Sequence, residues 1–243
     1  MKKLFLSCAA LLAVSAMQAQ LAQTSAPQRL LEGVQSQMYN PVLSQDGNLL
    51  LFSQEGYTDL REYNFTDNVT RSIKAEPTKA FKAGFKRDAV VFDNAGDKTT
   101  VRTEGDKLFI KTGGKEKAYT PVECQAGYCW ASLSPDGTKV VFLAAGKGLV
   151  VCDLNGNVLS RPGNYEAPVW FGNDYLVVQN ATDDCHQICS SQILLLKADG
   201  SAMQELTKPE SMTMTPAASF SAGRIVYSTI DGRMYQMFVK LNK

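Results

Sequence analysis

The sequence predicts an all-β protein, a β-propeller of about five four-stranded antiparallel blades. Three observations carry this. Ser134-Pro135-Asp136-Gly137 is a tight turn in which Pro135 presets φ for the second position and Gly137 accepts a positive φ at little cost. The run that follows, Lys139-Val140-Val141-Phe142-Leu143, is apolar on both faces, which suits a strand covered on both sides; periodicity by itself leaves a short buried helix open. The unit also recurs. Gly47 and Gly137, like Phe52 and Phe142, stand 90 positions apart, two periods of about 45 residues.

Taken in order, the first copy is Asn40–Gly47 followed by the buried run Asn48–Phe52. The second falls between the first and third, with Phe81–Phe85 and Ala89–Phe92 as its opening strands and Thr99–Thr103 and Lys107–Thr112 as its later ones. Thr99–Thr120 is also the stretch with room for a degenerate sixth blade. The third copy starts at Tyr128; Gly146 and Gly148 bracket its second turn, and Asn155-Gly156 is a hairpin signal. In the fourth, Ala167–Asp174 and Tyr175–Val178 precede a polar insertion at Asn180–Ser191, the run Ile193–Leu196 and a turn at Asp199-Gly200. The fifth runs from Pro216–Gly223 through Arg224–Tyr227 and a turn at Asp231-Gly232 to Met234–Leu241, and stops after three strands. Gln28–Leu31 is expected to supply the missing outer strand, closing the ring and removing exposed edges. The spacing of Leu30, Leu31, Val34 and Met38 fits a helix face as well.

Met1-Lys2-Lys3 followed by the apolar stretch 4–14 reads as a signal peptide over residues 1–19, cut at Ala19-Gln20. The stretch is short for a membrane span of about 20 residues. Cys8 sits inside the apolar core instead of after it, which argues against lipid attachment there. Residues 20–27 are expected to be a flexible leader and 28–243 a single propeller domain, exported to the periplasm. Lys+Arg 25 against Asp+Glu 24 gives a formal net charge of +1, so no global field favours nucleic acid or acidic lipid. The basic stretch Lys79, Lys82, Lys86 and Arg87 is read as a solvated face.

The unit Pro-x-Leu/Trp-Ser-x-Asp-Gly-x-x-x-x-Phe, seen at Pro41–Phe52 and Trp130–Phe142, resembles the TolB-like, WD40-like β-propeller repeat of exported bacterial proteins. The resemblance spans roughly residues 28–243 and is strongest in the first and third copies. It implies a propeller fold and a cell-envelope setting, and it is not specific for activity.

No catalytic constellation stands out, and the chain is expected to be non-enzymatic, with no cofactor and no bound metal. His186 is the one histidine, and no Gly-x-Ser-x-Gly elbow is present. In an exported protein the close pairs Cys124/Cys129 and Cys185/Cys189 read most simply as local disulfides, with Cys152 a buried thiol. The carboxylates at Glu55/Asp59/Glu62, Asp93/Asp97 and Asp183/Asp184 read as turn chemistry. Aromatic residues crowd the first strand of each copy, and Tyr39, Phe85, Trp130 and Trp170 are candidates for a channel-lining binding surface, against the simpler role of packing between blades. The function expected is a non-catalytic binding or scaffold protein for a protein, peptide or envelope component, including association with outer-membrane components. The alternative is a small propeller hydrolase or lyase acting on a sugar or lactone.

Overall fold

The apolar runs form the middle strands of separate sheets, and those around Val141, Val177, Leu195 and Val226 have neighbours packed against both faces. A computed structural model describes residues 20–34, 37–54, 59–73 and 99–242 of the chain. The sheets form a five-bladed β-propeller, every sheet an antiparallel meander. Its first two strands, β1 (Ala22–Thr24) and β2 (Gln28–Leu30), are considered with the last blade.

Blade one is β3 (Tyr39–Leu43), β4 (Leu49–Ser53), β5 (Arg61–Asn64) and β6 (Val69–Ser72). The described part of blade two is β7 (Thr100–Glu104), β8 (Lys107–Thr112) and β9 (Lys115–Tyr119). Blade three is β10 (Tyr128–Leu133), β11 (Lys139–Ala144), β12 (Gly148–Asp153) and β13 (Val158–Gly163). Blade four is β14 (Glu166–Trp170), β15 (Tyr175–Asp183), β16 (Ile188–Lys197) and β17 (Met203–Glu205). Blade five is β18 (Thr213–Ser219), β19 (Arg224–Thr229) and β20 (Met234–Leu241). The helical content among the described residues is a single 3-10 turn, Pro209–Ser211.

The core is a set of slabs between blades, and alternate residues of one strand belong to different slabs. Val140 and Phe142 of β11 pack with Val101, Leu108 and Ile110 of blade two. Val141, between them, packs with Leu176, Val178, Leu194 and Leu196 of blade four. Val177, Ile193 and Leu195 then meet Ile225, Tyr227, Met237 and Val239 of blade five, and Val226 and Met234 meet Leu43, Leu50 and Phe52 of blade one. A strand buried on both faces has no position for a polar residue to reach water, so its sequence loses the alternation of a half-exposed strand.

Closure comes from the N-terminal segment. β2 pairs antiparallel with β20 (Leu30 with Met234), as expected, and the strand prevails over the helical alternative because Leu30 is buried against blade five. The expected flexible leader is a correction: β1 also pairs with β20 (Ala22 with Leu241), and Leu21 and Ala22 are buried in the slab between blades four and five. Pro27 interrupts the two pairings. Between them Ser25 bridges to Phe238, its backbone N–H donating to the Phe238 carbonyl and its hydroxyl accepting the Phe238 N–H, each at 2.9 Å. On the outer edge the Gln204 side-chain amide accepts from Ala22 N at 2.8 Å and donates to Ala22 O at 3.0 Å, standing in for a neighbouring strand.

Two further expectations resolve. Residues 100–119 form the three-stranded described part of blade two, not a sixth blade. The insertion at Asn180–Ser191 is no separate loop, since β15 and β16 continue through it as a long hairpin arm closed by the turn at Asp184–Gln187. The expected strands Phe81–Phe85 and Ala89–Phe92, the basic stretch Lys79–Arg87, and the signal peptide with Cys8 lie outside the described residues.

The Ser-x-Asp-Gly turns explain their own sequence. In blades one and three the Ser44 and Ser134 hydroxyls donate to Asp46 and Asp136 (2.5 and 2.6 Å), and each Asp accepts the N–H two residues on (3.0 and 3.1 Å). Gly47 and Gly137 close the turns at φ 73° and 71°. Their surroundings differ: a Cβ on Gly47 would stand 2.5 Å from Ala222 Cβ, while one on Gly137 meets nothing within 4 Å. Gly137→Ala is therefore expected to cost about 1 kcal/mol from the positive φ alone, and Gly47→Ala distinctly more. Equal shifts of the two urea midpoints would show that the contact between blades one and five at this turn is not tight.

Candidate functional site

The channel has two chemically different ends. At the end where the innermost strands begin, four blades share one irregularity. Two residues of the first strand face one of the second: Asn40-Pro41 opposite Phe52, Trp130-Ala131 opposite Phe142, Ala167-Pro168 opposite Val178, and Thr215-Pro216 opposite Tyr227. The leading residue of each bulge has a positive φ, at 53°, 55°, 48° and 45° respectively. For residues other than glycine this costs of order 1 kcal/mol or more each, so the surrounding packing must enforce it. Proline fits the second position because a bulge withdraws that N–H from the ladder.

Polar side chains at and beside the bulges of blades one, four and five hydrogen-bond at this end. Asn40 Nδ2 donates to Ser53 Oγ at 3.2 Å. Gln179, almost fully buried, accepts the Thr215 N–H at 2.9 Å on its Oε1 and donates from Nε2 to Glu166 Oε2 at 3.3 Å. Thr215 and Ser228 share a hydroxyl hydrogen bond of 2.8 Å. The array ties blade five to blade four and ends on a carboxyl group. Glu166 is itself exposed, and partial desolvation at the strand start, with the negative charge of Asp183 near the tip of the hairpin arm second, moves its carboxyl above the usual range. Burial, with the nearby Glu166 charge second, raises the Cys129 thiol to about 11. A carboxyl group held in this way can exchange a proton or a hydrogen bond with a ligand entering the channel.

At the opposite end the turns between first and second strands converge. Asn173 Oδ1 accepts the Asp136 N–H at 3.1 Å, and the Ser219 and Ser221 hydroxyls donate to Gln45 O at 2.8 and 2.6 Å. Lys139 pairs with Asp174 at 2.9 Å. Gln45, Pro135, Asn173 and Phe220 rim a concavity of about 400 Å³. Phe220, Ser221 and Leu241 also line an adjoining open groove of about 730 Å³ between the Phe220–Gly223 turn, β1 and the end of β20. Both volumes fall in the range of ligand sites. Two large side chains stand exposed in this groove, Phe220 at 53% and Phe238 at 38%. Phe220 rests edge-to-face on Phe171, with ring centroids 5.2 Å apart.

The four aromatic residues expected to line the channel are not gathered in one place. Tyr39 and Trp130 lie at the bulged end, both half-buried. Trp170 ends its strand at the other end, where it is buried between blades and donates Nε1–H to Ser132 O at 3.1 Å while contributing to the smaller concavity. Phe85 is outside the described residues. The five described cysteines are free thiols, contrary to the expected local disulfides. Cys124 is buried with Sγ 3.3 Å from the Gly127 and Ala145 carbonyl oxygens, Cys129 sits on β10, and Cys185 and Cys189 are exposed on the hairpin arm. His186 lies exposed in the turn of that arm, its N–H donating to Asp184. Glu166, Gln179, Phe238 and Lys240 escaped the sequence reading. The first had a usable signal: Glu166 stands at the same offset from Pro168 as Tyr39 from Pro41 and Met214 from Pro216.

No protein-family model matches the chain, and no curated sequence matches it. Among solved structures it is similar to the β-propeller domain of Cps50 (Swd1) from Myceliophteria thermophila, at TM-score 0.50 and 9% identity over 84% of each chain. It is also similar to a protein assigned as TolB from Agrobacterium tumefaciens (TM-score 0.45, 14% identity, 90% of this chain and 88% of that one). A third is the calcium-binding protein regucalcin from Agrobacterium tumefaciens (TM-score 0.46, 11% identity, 88% and 93%). The likeness to the Cps50 domain supports the propeller fold; at these identities none of the three assigns an activity.

Thiol labelling checks the cysteine environments. Burial holds the Cys152 thiol at about 12, and Cys124 is enclosed, so neither is expected to react with maleimide before unfolding, whereas reduced Cys185 and Cys189 react at once. Rapid modification of Cys152 in the folded protein would contradict the packing of β12. For Glu166 the sign follows from its raised value in the folded state: the folded chain holds this proton more tightly than the unfolded one, so stability falls as pH rises above the ordinary glutamate value of 4.5. Glu166→Gln is expected to be slightly more stable than the parent at pH 7, with the gain vanishing below about pH 4.5. A gain unchanged by acid would show that desolvation of the charge is not its source.

Proposed function

We propose that the protein is a non-catalytic binding β-propeller of the cell envelope, holding a protein or peptide on the face where the Ser-x-Asp-Gly turns converge. The observation that carries this is the pair of exposed phenylalanines, Phe220 and Phe238, on one open groove continuous with the channel mouth. Large exposed apolar side chains in a concavity are unfavourable in water and favour association. The apolar leader of the sequence supports an exported setting, and outer-membrane components are among the partners that setting offers.

One observation favours a second reading, a small hydrolase or lyase acting on a sugar or lactone: the Glu166 carboxyl, held by Gln179 and raised by partial desolvation at the other channel end. Turnover of a lactone or glycoside panel by residues 20–243, abolished in Glu166→Gln, would establish it.

The binding reading is tested by affinity capture from an envelope extract with crosslinking, using residues 20–243. Phe220→Ser is expected to lower recovery of the principal partner about tenfold, the scale of one interface anchor. Leu159→Ser removes a side chain of similar exposure (55%) on β13 and should leave recovery unchanged. Equal effects of the two substitutions would mean non-specific adhesion and sink the reading.

A further inference from the structure

The groove beside β20 has a chemical pattern as well as a shape. Met237 and Val239 point into the slab between blades four and five, so Phe238 and Lys240 project from the opposite, open face of the same strand. The register places Gln23 beside Lys240, and Ser25 bonds to Phe238. Lys240 is the one charged side chain among the groove-lining residues, and no ion pair engages it among the described residues. A second cation borders the groove. The Arg224 guanidinium lies 3.6 Å from the Phe65 ring and 5.3 Å from the Phe238 ring, and it donates to Gly47 O at 2.9 Å. Among the described residues no carboxylate lines the groove to balance these charges.

We infer that the groove binds an extended peptide segment of a partner protein in which an apolar residue is followed two positions later by an acidic one. The inference rests on the binding function proposed above and names the chemistry of its partner. Phe238 and Lys240 are two residues apart on one strand, about 6.7 Å, and side chains i and i+2 of an extended peptide share that spacing and one face. The apolar side chain lies against Phe238 and Phe220, and the carboxylate meets Lys240.

Fluorescence polarisation of residues 20–243 with labelled octapeptide pools tests this. The pools carry Phe-x-Asp, Phe-Asp or Phe-x-Lys in an otherwise Ser/Leu background. Phe-x-Asp is expected to bind about three- to tenfold more tightly than Phe-x-Lys, the range of one partly shielded ion pair, and to lose that preference at high salt. Lys240→Glu should reverse the preference, and Phe238→Ser should weaken every pool; both positions are exposed, and circular dichroism confirms that the variants fold. Equal binding of the pools, or a preference indifferent to Lys240→Glu, overturns the inference. So does Lys240-dependent sedimentation with phosphatidylglycerol vesicles in the absence of any peptide preference, which would assign the groove to a lipid surface. Phe220-dependent capture that persists without a peptide preference removes only the peptide chemistry. Loss of that dependence removes the binding function itself.

Discussion

Blades three, four and five bury apolar residues on both faces, and that constraint favours a ring. A stack of such sheets would leave its first and last faces in water, whereas a closed ring gives each face a partner. Closure falls to contacts between the two ends of the chain. β1 and β2 complete the last sheet by pairing with β20, Gln204 caps the remaining edge of Ala22, and Leu30 and Met38 fill the slab between blades five and one. Arg224 reinforces the same seam between two rings of different blades. Burial lowers the affinity of its guanidinium for the proton, and two aromatic faces and the Gly47 carbonyl hold the side chain there.

The ends of the channel follow from what a ring of strands leaves over. Strand starts must bring neighbouring blades together around a narrow opening, and the four bulges with positive-φ residues bend the first strands there. Gln179 and Thr215 then occupy main-chain and side-chain groups that bulging would strand, and Glu166 terminates that array. At the other end the turns interlock through Asn173, Ser219 and Ser221, leaving apolar residues of the fifth turn outside the lock. The polar end is thus consumed largely in joining blades, and the apolar end holds the open groove.

Features within one turn or one strand were legible in the sequence. Ser44, Asp46 and Gly47 satisfy each other across four positions, so their spacing is their structure. The same locality misled the cysteine reading: a separation of five residues says nothing about direction, and Cys124 enters the core while Cys129 lies on the adjoining strand. Trp170 could be assigned to a first strand but not to one end of it, and it became a wedge between blades. The groove was invisible because Phe220, Phe238 and β1 come from three separate parts of the chain.

The sequence by itself determined the repeat, the antiparallel meander, the buried middle strands and the use of an N-terminal strand to complete the last blade. Period, turn chemistry and lost alternation are written in neighbouring residues. Only the tertiary structure decided that residues 22–24 also belong to that closing edge, that Glu166 is tied to blade five, and that Phe238 and Lys240 share an open face. Those outcomes depend on which strands lie side by side around the ring, and that relation is set by packing between residues as far apart as Ala22 and Leu241.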